Sequence, residues 1–411
     1  MNERVETVVV GGGQAGLATS YYLTQQGLAH VVLEQAAQAG NAWRNGRWDS
    51  FTLVSPNWSF KLPGAEYAGD APDGFMPRDE VVARFERYVD EFDLPVRYGV
   101  RVTAVEPMSD GGGYLVATTD GTIEAANVVI ATGMFQRPNV PALAADIPAT
   151  IEQLHSGQYR NPAALAYGAV LVVGTGQSGA QIAQELYQSG RKVYLAVGSA
   201  GRIPRRYRGR DIFEWLQLIG FFDRTEDVLP SPKAKFVGNP HLSGRDGGQT
   251  LNLHAFAREG VHLLGHLRGA ARGTLQFAPD LEESLAKVDA FESQVIGNVD
   301  RYIAKAGIDA PAEQLPDLRD GYAAAEITKL SLAVAGITTI IWAMGYEFDF
   351  GLVKLPVTDE FGYPIQDRGV TEYPGLYFVG LPWLSKMKSG LLLGVGDDAE
   401  YIASQIAAQR A

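Results

Sequence analysis

Two glycine-rich turns, far apart in the chain, constrain its fold more than any other feature. Residues 8–16 read VVVGGGQAG, and residues 171–179 read LVVGTGQSG. Each turn follows an apolar, β-branched run typical of a buried strand and precedes a segment with helical periodicity. A strand, a glycine turn and a helix in this order are typical of dinucleotide-binding units. The sequence therefore predicts an α/β fold with two Rossmann-like dinucleotide-binding domains.

The spacing of the glycines suggests a separate role for each one. The first permits the sharp bend, the second lets a pyrophosphate approach the backbone, and the third lets the helix pack against the strand. The free N–H groups at the start of the helix then hold the phosphate charge. The predicted contact residues are Gly11, Gly13, Gln14 and Gly16 in the first turn, and Gly174, Gly176, Gln177, Ser178 and Gly179 in the second. Two ordinary strand-turn-helix units are the alternative.

The residues that end the second strand of each unit differ. Glu34 ends this strand in the first unit and can accept hydrogen bonds from ribose hydroxyls. In the second unit Gly198 and Ser199 stand where an NAD site would have an acid. Arg202 and Arg205 follow and favour a 2′-phosphate, with a solvated basic loop as the alternative. We therefore predict FAD at the first site and NADPH at the second, with Ser199 and these two arginines in the NADPH site.

Composition excludes several classes of function. The net charge of −12 argues against a nucleic-acid partner. The chain has no cysteine, which excludes a redox disulfide and cysteine-ligated metals, and no metal site is predicted. The first predicted strand begins too early for a signal peptide, and no apolar run is long enough to span a membrane. We expect a cytoplasmic protein without a membrane partner.

Local patterns complete the predicted layout. Apolar residues at helical spacing predict helices at 78–92 and 281–306. A strand is predicted at 97–105, and Asp110-Gly111-Gly112-Gly113 is typical of a hairpin turn. The proline-containing segment 137–141 is typical of a stiff linker between domains.

The linker and the second glycine turn predict that one domain is inserted into the other. The FAD-binding domain is predicted to comprise residues 1–145 and 346–411. The NADPH-binding domain is predicted at 146–345, with an irregular insertion around 202–250 that shows little periodicity.

In order and spacing, these features resemble the class B flavin-dependent monooxygenases, particularly the flavin-containing and YUCCA-like branch and its bacterial relatives. The resemblance covers nearly the whole chain. It rests on both glycine turns, the Trp43-Arg44 loop, Ala131-Thr132-Gly133, and the run GLYFVG at 375–380. It implies FAD and NADPH as cofactors, and it adds Trp43, Arg44 and Gly133 to the predicted cofactor site.

The resemblance also suggests two catalytic candidates. The family fingerprint between the domains, FxGxxxHxxx followed by an aromatic residue, is matched by His155 and Tyr159, whereas Ala149 and Ile151 replace its Phe and Gly. His155 has a catalytic or gating role, or it packs the linker. Asn57 lies where the family often places an asparagine near the reactive edge of the flavin, or it is a turn residue.

At the C-terminus, a helix predicted to start near Gly390 and Leu391 would direct its positive end at the flavin and stabilise the reduced form. The resemblance implies that NADPH reduces FAD, that O2 then forms a C4a-hydroperoxide, and that oxygen passes to a small organic substrate. N- or S-oxygenation and keto-acid oxidation both stay open. An NAD(P)H oxidase or a reductase that oxygenates no substrate is the alternative.

The substrate pocket is predicted from aromatic residues, which favour an apolar or aromatic substrate. These residues are Phe213, Trp215, Phe221, Phe222, Tyr322, Trp342 and Trp383. Core packing is the alternative for several of them. The sequence is compatible with a homodimer and does not decide the oligomeric state.

Overall fold

The computed structural model describes residues 3–109 and 111–409, so Asp110 of the predicted turn lies outside the described residues. Helices and strands are numbered in chain order. The α-helices are α1 Gln14–Gln25, α2 Asn41–Arg44, α3 Arg78–Glu91, α4 Gln177–Gln188, α5 Ile212–Leu218, α6 Leu253–Arg258, α7 Leu281–Ala306, α8 Leu332–Ala335 and α9 Val395–Ala408.

The first sheet is mainly parallel. Its strands are β1 Glu3–Val10, β2 His30–Glu34, β3 Val96–Tyr98, β4 Val102–Pro107, β5 Tyr114–Thr118, β6 Gly121–Ile130 and β19 Leu376–Phe378. They lie in the order β3-β2-β1-β6-β5-β4, and β19 also pairs with β6. The β4–β5 hairpin is antiparallel, whereas β3, β2, β1, β6 and β19 run parallel.

The second sheet is parallel throughout. Its strands are β8 Glu152–His155, β9 Ala169–Val173, β10 Val193–Ala196, β13 His262–Leu264 and β17 Ile337–Trp342, in the order β13-β10-β9-β17-β8. An α/β fold with two parallel sheets of the dinucleotide-binding kind is therefore confirmed. The predicted domain boundaries lie outside both sheets and stay a prediction.

Short strands complete the chain. They are β7 Arg137–Pro138, β11 Arg206–Tyr207, β12 Arg210–Asp211, β14 Leu267–Ala271, β15 Thr274–Phe277, β16 Lys329–Ser331 and β18 Tyr346–Glu347. The β7 and β18 strands pair with each other in antiparallel fashion. The β7 strand lies in residues 131–151, which lead from the first sheet to the second, and β18 lies in residues 343–375, which lead back. We call these segments the outward crossing and the return crossing.

Burial on both faces explains the apolar runs that precede the glycine turns. In β1, Val8 and Val9 are 0% exposed and Val10 is 5% exposed. Val8 and Val10 pack into one core and Val9 packs into the other, against α1 and α9. A parallel strand covered on both sides needs apolar residues at every position, which is the pattern that the sequence shows.

Two predicted elements differ in the structure. The strand predicted at 97–105 is divided into β3 and β4, because Gly99 between them adopts a φ of +75° that ends the extended backbone. The insertion at 202–250 is less irregular than predicted, since it contains α5 with Asp211 as its N-cap. Within residues 3–109 and 111–409, no helix is long and apolar enough to cross a membrane.

Candidate functional site

The first glycine turn joins β1 to α1 and gives each glycine a different environment. Gly11 has a φ of +108°, and a Cβ there would lie 2.6 Å from the carbonyl oxygen of Ala131. At Gly16 a Cβ would lie 1.8 Å from the Gly11 carbonyl oxygen. At Gly13, the N-cap of α1, a Cβ would meet no atom within 4 Å. The turn thus needs glycine at two crowded positions and leaves clear space at the start of the helix.

The second turn repeats this arrangement between β9 and α4. Gly174 has a φ of +99°, and a Cβ there would lie 2.6 Å from the carbonyl oxygen of Ala343. At Gly179 a Cβ would lie 2.0 Å from the Gly174 carbonyl oxygen. Gly176 is the N-cap of α4, and a Cβ there would again meet nothing within 4 Å. Both turns can therefore accept a pyrophosphate at a helix N-terminus.

Equivalent backbone segments lie against both turns. The N–H groups of Ala131 and Ala343 donate to the last carbonyls of β1 and β9, each at 2.9 Å. Two residues further on, Gly133 and Gly345 have φ angles of +73° and +79°. The chain therefore turns away from each sheet in the same manner, directly beside the glycine turn.

Glu34 lies at the edge of the first turn. Its side chain accepts hydrogen bonds from the backbone N–H groups of Gly12, at 2.8 Å, and Ala36, at 2.7 Å. A Cβ on Gly12 would lie 3.0 Å from the Glu34 Cβ, so the close approach of this carboxylate depends on glycine. The carboxylate is thus held where a ribose would be expected to lie in a site of this kind.

The pairing register places a buried apolar residue at the matching position of the second turn. Leu33 pairs with the last residue of β1, and Ala196 pairs with the last residue of β9. Val197, 1% exposed, is therefore the counterpart of Glu34, rather than Gly198 or Ser199 as the sequence predicts. The N–H of Gly198 donates to the hydroxyl of the second turn's threonine at 2.9 Å, and Ser199 is exposed.

The two fingerprint glutamines each bind a distant backbone segment. The Gln14 side chain donates to the Gly390 carbonyl at 2.8 Å, and the Gln177 side chain donates to the Leu242 carbonyl. Ser178 lies beside Gln177 in the first turn of α4. The first turn is thereby tied to the C-terminal segment, and the second to the insertion.

The C-terminal helix does not start near Gly390 and Leu391, as the sequence predicts. Residues Met387–Gly390 form a short 3-10 turn, and α9 begins at Val395. The first turn of α9 carries Asp398, which is fully buried and accepts a hydrogen bond from the Ser385 hydroxyl. Burial raises the pKa of this carboxyl group. The positive end of α9 therefore already has a carboxyl group beside it, that of Asp398 in the same helix.

The two arginines predicted to bind a 2′-phosphate have partners inside the protein. Arg202, 5% exposed, donates to Glu292 at 2.9 and 2.6 Å and to Asp289 at 2.8 Å. Arg205, 2% exposed, pairs with Asp211 and donates to the Val54 carbonyl at 2.7 Å. These partners argue against the predicted contact, because a phosphate would have to displace groups that already hold both guanidinium groups.

The space beside Arg202 is acidic. A cavity of about 260 Å³ is lined by Arg202 together with Asp289, Glu292, Glu313 and Asp317. These carboxylates outnumber the nearby cations Arg202 and Arg319. A phosphate placed here would be repelled, which agrees with the internal pairing of Arg202.

Two arginines that follow β2, Arg44 and Arg47, are close in sequence but have different environments. Arg44 forms an ion pair with Glu86 of α3 at the surface. The Trp43 ring packs 6.0 Å from the Phe51 ring. Arg47, which belongs to no motif of the sequence, has its guanidinium carbon 5.4 Å from the centroid of each ring. Its signal in the sequence is its position between Trp43 and Trp48, three residues after Arg44.

Both catalytic candidates are bonded to backbone. The Asn57 amide donates to the Ala71 carbonyl at 2.9 Å and accepts from the Met76 N–H at 2.7 Å. The His155 ring accepts from the Gly157 N–H at 3.2 Å and bonds the Gly345 carbonyl at 3.0 Å. Burial lowers the pKa of His155, which favours the neutral ring. These contacts favour positioning roles, Asn57 in its loop and His155 beside the return crossing.

The predicted aromatic pocket is only partly assembled. Trp215 and Trp342 are at most 1% exposed and belong to separate cores, so they are core residues. The Tyr322 hydroxyl bonds Asp289 at 2.7 Å, and Trp383 lies in the C-terminal loop with a φ of +65°. The remaining three aromatic residues and the C-terminal segment form one apolar cluster around the core that contains Trp215. This cluster contains Phe213, Phe221, Phe222, Met387, Leu391 and Leu393.

The insertion reaches the first unit at several further points. Asp223 pairs with Lys386 at 3.1 Å and with Lys388 at 3.3 Å. A Cβ on Gly244 would lie 1.8 Å from the Leu53 carbonyl oxygen, so the two backbones are in direct contact. The insertion therefore covers the junction between the two glycine turns and the C-terminal segment.

The segment bonded to Gln177 carries a histidine that no motif of the sequence indicates. His241 is fully buried, and within residues 3–109 and 111–409 no group meets ordinary hydrogen-bond geometry with either ring nitrogen. Burial and the charge of Arg202 lower its pKa to about 4, while the Thr175 backbone acts in the opposite direction. Its sequence context of polar residues gives no sign of this burial.

Comparisons with known proteins agree with this geometry. A family model for pyridine nucleotide-disulphide oxidoreductases matches residues 8–209. An uncharacterized CzcO-like oxidoreductase of Geobacillus kaustophilus is 33% identical over 99% of both chains. The indole-3-pyruvate monooxygenase YUCCA1 of Oryza sativa subsp. japonica is 29% identical over 68% of this chain and 76% of its own.

A solved structure extends the comparison to the whole fold. The flavin-containing monooxygenase from Stenotrophomonas maltophilia covers 100% of both chains, with a TM-score of 0.67 and 23% identity. At this identity the similarity establishes a shared fold.

Proposed function

This chain belongs to the class B flavin-dependent monooxygenases, and from that premise we propose that it binds FAD at the first glycine turn and NADPH at the second. We infer that it transfers one oxygen atom of O2 to a small organic substrate. The observation that carries the proposal is the repetition of one turn geometry, with Gly13 and Gly176 each facing clear space at a helix N-terminus.

The first site fits a flavin dinucleotide in two respects. The first N–H groups of α1 have no carbonyl partner within the helix, so they are available to a pyrophosphate beside Gly13. The Glu34 carboxylate keeps acceptor capacity for ribose hydroxyls while two backbone N–H groups hold it in place. Bound FAD would supply the redox chemistry, as acceptor of a hydride and activator of O2.

The second site fits a nicotinamide dinucleotide whose ribose is not bound by an acidic residue. Val197 offers no carboxylate that would repel a 2′-phosphate. Exposed Ser199, in the loop that follows β10, is the proposed hydrogen-bonding partner of that phosphate. We propose that Arg202 and Arg205 instead hold the insertion in place, through the ion pairs that bury them.

The protein's own residues would position the substrate and exclude water. The apolar cluster of Phe213, Phe221, Phe222, Met387, Leu391 and Leu393 joins the insertion to the C-terminal segment. Gln14 fixes that segment on the first turn through Gly390. An apolar or aromatic substrate held here would be shielded by the insertion, which favours oxygen transfer over release of peroxide.

The reaction is tested by following both atoms of oxygen. The flavin-loaded protein would be supplied with NADPH and ¹⁸O2, together with panels of amines, sulfides and aromatic keto acids. We expect one ¹⁸O atom in an organic product and one molecule of NADPH consumed for each product formed. NADPH oxidation that yields only hydrogen peroxide with every panel would instead favour the oxidase alternative.

The panels also separate the finer possibilities. Product from amines or sulfides would favour N- or S-oxygenation, and loss of CO2 from a keto acid would favour oxidative decarboxylation. A cytoplasmic location and a homodimer stay predictions from the sequence.

A further inference from the structure

Arg47 lies inside a group of aromatic side chains at the junction of the two units. Its guanidinium carbon is 5.4 Å from the ring centroids of Trp43 and Phe51 and 4.6 Å from that of Phe135. Trp43 and Phe51 belong to the loop after β2, whereas Phe135 belongs to the outward crossing. The rings thus bring one cation to the point where the chain leaves the first sheet.

The charge of Arg47 has no acidic partner. Among residues 3–109 and 111–409, no carboxylate oxygen lies within 4 Å of its side-chain nitrogens, and its one side-chain hydrogen bond is to the Gly46 carbonyl at 2.9 Å. Arg47 is only partly exposed, and the protein packed around it lowers its pKa, while Tyr346 is the neighbour that opposes this shift. An arginine with most of its five donors unused is well suited to an incoming anion.

A second arginine in the same chain shows what a compensated site looks like. Arg84 also lies over two rings, at 5.5 Å from Phe60 and 4.9 Å from Tyr67. Its guanidinium nevertheless donates to the Glu80 carboxylate at 3.2 and 3.3 Å. Contacts with aromatic rings therefore do not by themselves explain why Arg47 lacks a carboxylate partner among the described residues.

The backbone around Arg47 is held by further positive charge. Arg160 donates to the Arg47 carbonyl at 3.1 Å and to the carbonyls of Asn45, Gly157 and Tyr159. Arg160 makes no ion pair among the described residues. Arg47 in the loop after β2 and Arg160 next to it thus place two guanidinium groups together, and both raise the local positive potential, which Asp49 partly offsets.

The site is also open to a ligand. Phe135 is 46% exposed, and Arg47 itself is partly exposed. The Phe135 ring lies 5.2 Å from the ring of Tyr346 in the return crossing. An anion that approaches Arg47 would therefore meet aromatic surface from both crossings.

We propose that Arg47 is an anion receptor that binds a carboxylate or phosphate group, while the surrounding rings contact the apolar part of the same ligand. The inference rests on the proposed function and deepens it. The anion is either the carboxylate of an organic-acid substrate or a phosphate of the nicotinamide dinucleotide. Both would be bound through paired N–H donors of the guanidinium group.

Binding without turnover distinguishes these sources. Calorimetric titration of the flavin-loaded, full-length protein would use phenylacetate, its neutral analogue phenylacetamide, and NADP⁺. We expect Arg47→Gln to weaken either phenylacetate or NADP⁺ by about thirtyfold, with phenylacetamide unchanged. Loss for phenylacetate identifies a substrate carboxylate, and loss for NADP⁺ identifies a dinucleotide phosphate. Arg84→Gln is the matched control and should change neither affinity.

Two results would overturn the inference. One is unchanged affinity of Arg47→Gln for both anions, and the other is an equal loss for phenylacetamide. If Arg47→Gln does not fold, Arg47→Lys keeps the charge but loses the paired donors, and it should weaken the same anion by about fivefold. Because no oxygen is consumed, a protein that binds anions at Arg47 but gives no ¹⁸O-labelled product would reject the proposed function and keep this inference.

Discussion

The turns at residues 11–16 and 174–179 have the same steric design but different surroundings. In each, the first and third glycines approach a carbonyl oxygen too closely for any Cβ, and the middle glycine faces clear space. The first turn then has Glu34 at its edge and the C-terminal segment on its glutamine. The second has Val197 and the insertion in those places. We therefore propose that the shared geometry provides a pyrophosphate site and that the surroundings determine which dinucleotide occupies it.

The crowded third glycine should give the largest effect in both turns. Gly16→Val and Gly179→Val each place a Cβ within about 2 Å of a backbone carbonyl, as the distances of 1.8 and 2.0 Å indicate. Each change should cost more than about 4 kcal/mol and prevent soluble expression. Gly297→Ala in α7 is the control, since its Cβ would meet only the end of Arg301 at 3.7 Å. Normal melting of either valine variant would contradict the design shared by the turns.

Removal of a buried arginine should give the next largest effect. Arg202→Ala leaves Asp289 and Glu292 without their main cation and should destabilise the protein by about 3–5 kcal/mol. The affinities for NADPH and NADH should change alike. Urea unfolding and titration of both nucleotides test this, with exposed Arg206→Ala as the control for stability. A selective loss of NADPH affinity at unchanged stability would restore the predicted 2′-phosphate contact.

The arginines mark the limit of what the sequence could predict. The glycine turns and Glu34 follow from local spacing, because the geometry of a strand, a turn and a helix is set within a few residues. The partners of Arg202 lie about 90 residues away in α7, and nothing local indicates that α7 packs there. The predicted start of α9 was wrong for a similar reason, because the Gly390 carbonyl is bonded by Gln14 from the other end of the chain.

Acid should destabilise the second turn's surroundings more than the first turn's. Burial keeps the pKa of His241 at about 4 in the folded state, against about 6.5 when unfolded. The unfolded chain therefore binds more protons between these values. The stability that depends on neutral His241 should be fully present above pH 6.5. The free energy of unfolding should then fall by about 3 kcal/mol on acidification to pH 4.

Urea midpoints at pH 7.0, 5.5 and 4.5 measure this loss. His241→Leu should reduce the decline by about 3 kcal/mol, whereas Gly297→Ala, which removes no titratable group, should keep the wild-type slope. Parallel pH profiles for the wild type and His241→Leu would show that His241 does not link the insertion's stability to pH.

The open middle glycines should separate the two cofactors. An added Cβ meets no atom within 4 Å at Gly13 or Gly176, so we expect the Gly13→Val and Gly176→Val variants to fold. Each valine occupies the space that a pyrophosphate needs and should weaken binding by about a hundredfold. We expect Gly13→Val to purify without flavin, and Gly176→Val to keep flavin but lose NADPH affinity. A flavin-loaded Gly13→Val protein would contradict the assignment of FAD to the first turn.

The smallest effect should come from the residues that distinguish the turns. Glu34→Gln keeps one acceptor but loses the charge, so FAD affinity should fall about tenfold with NADPH affinity unchanged. Val197→Ala, at the matching position, should lower stability by about 1 kcal/mol and leave the ratio of NADPH to NADH affinity as it is. Dissociation constants for FAD added to the apoprotein, and for both nucleotides, measure these changes. The opposite result would be an altered nucleotide ratio in Val197→Ala together with intact FAD affinity in Glu34→Gln. It would show that Glu34 and Val197 do not determine which dinucleotide each turn binds in the way proposed here.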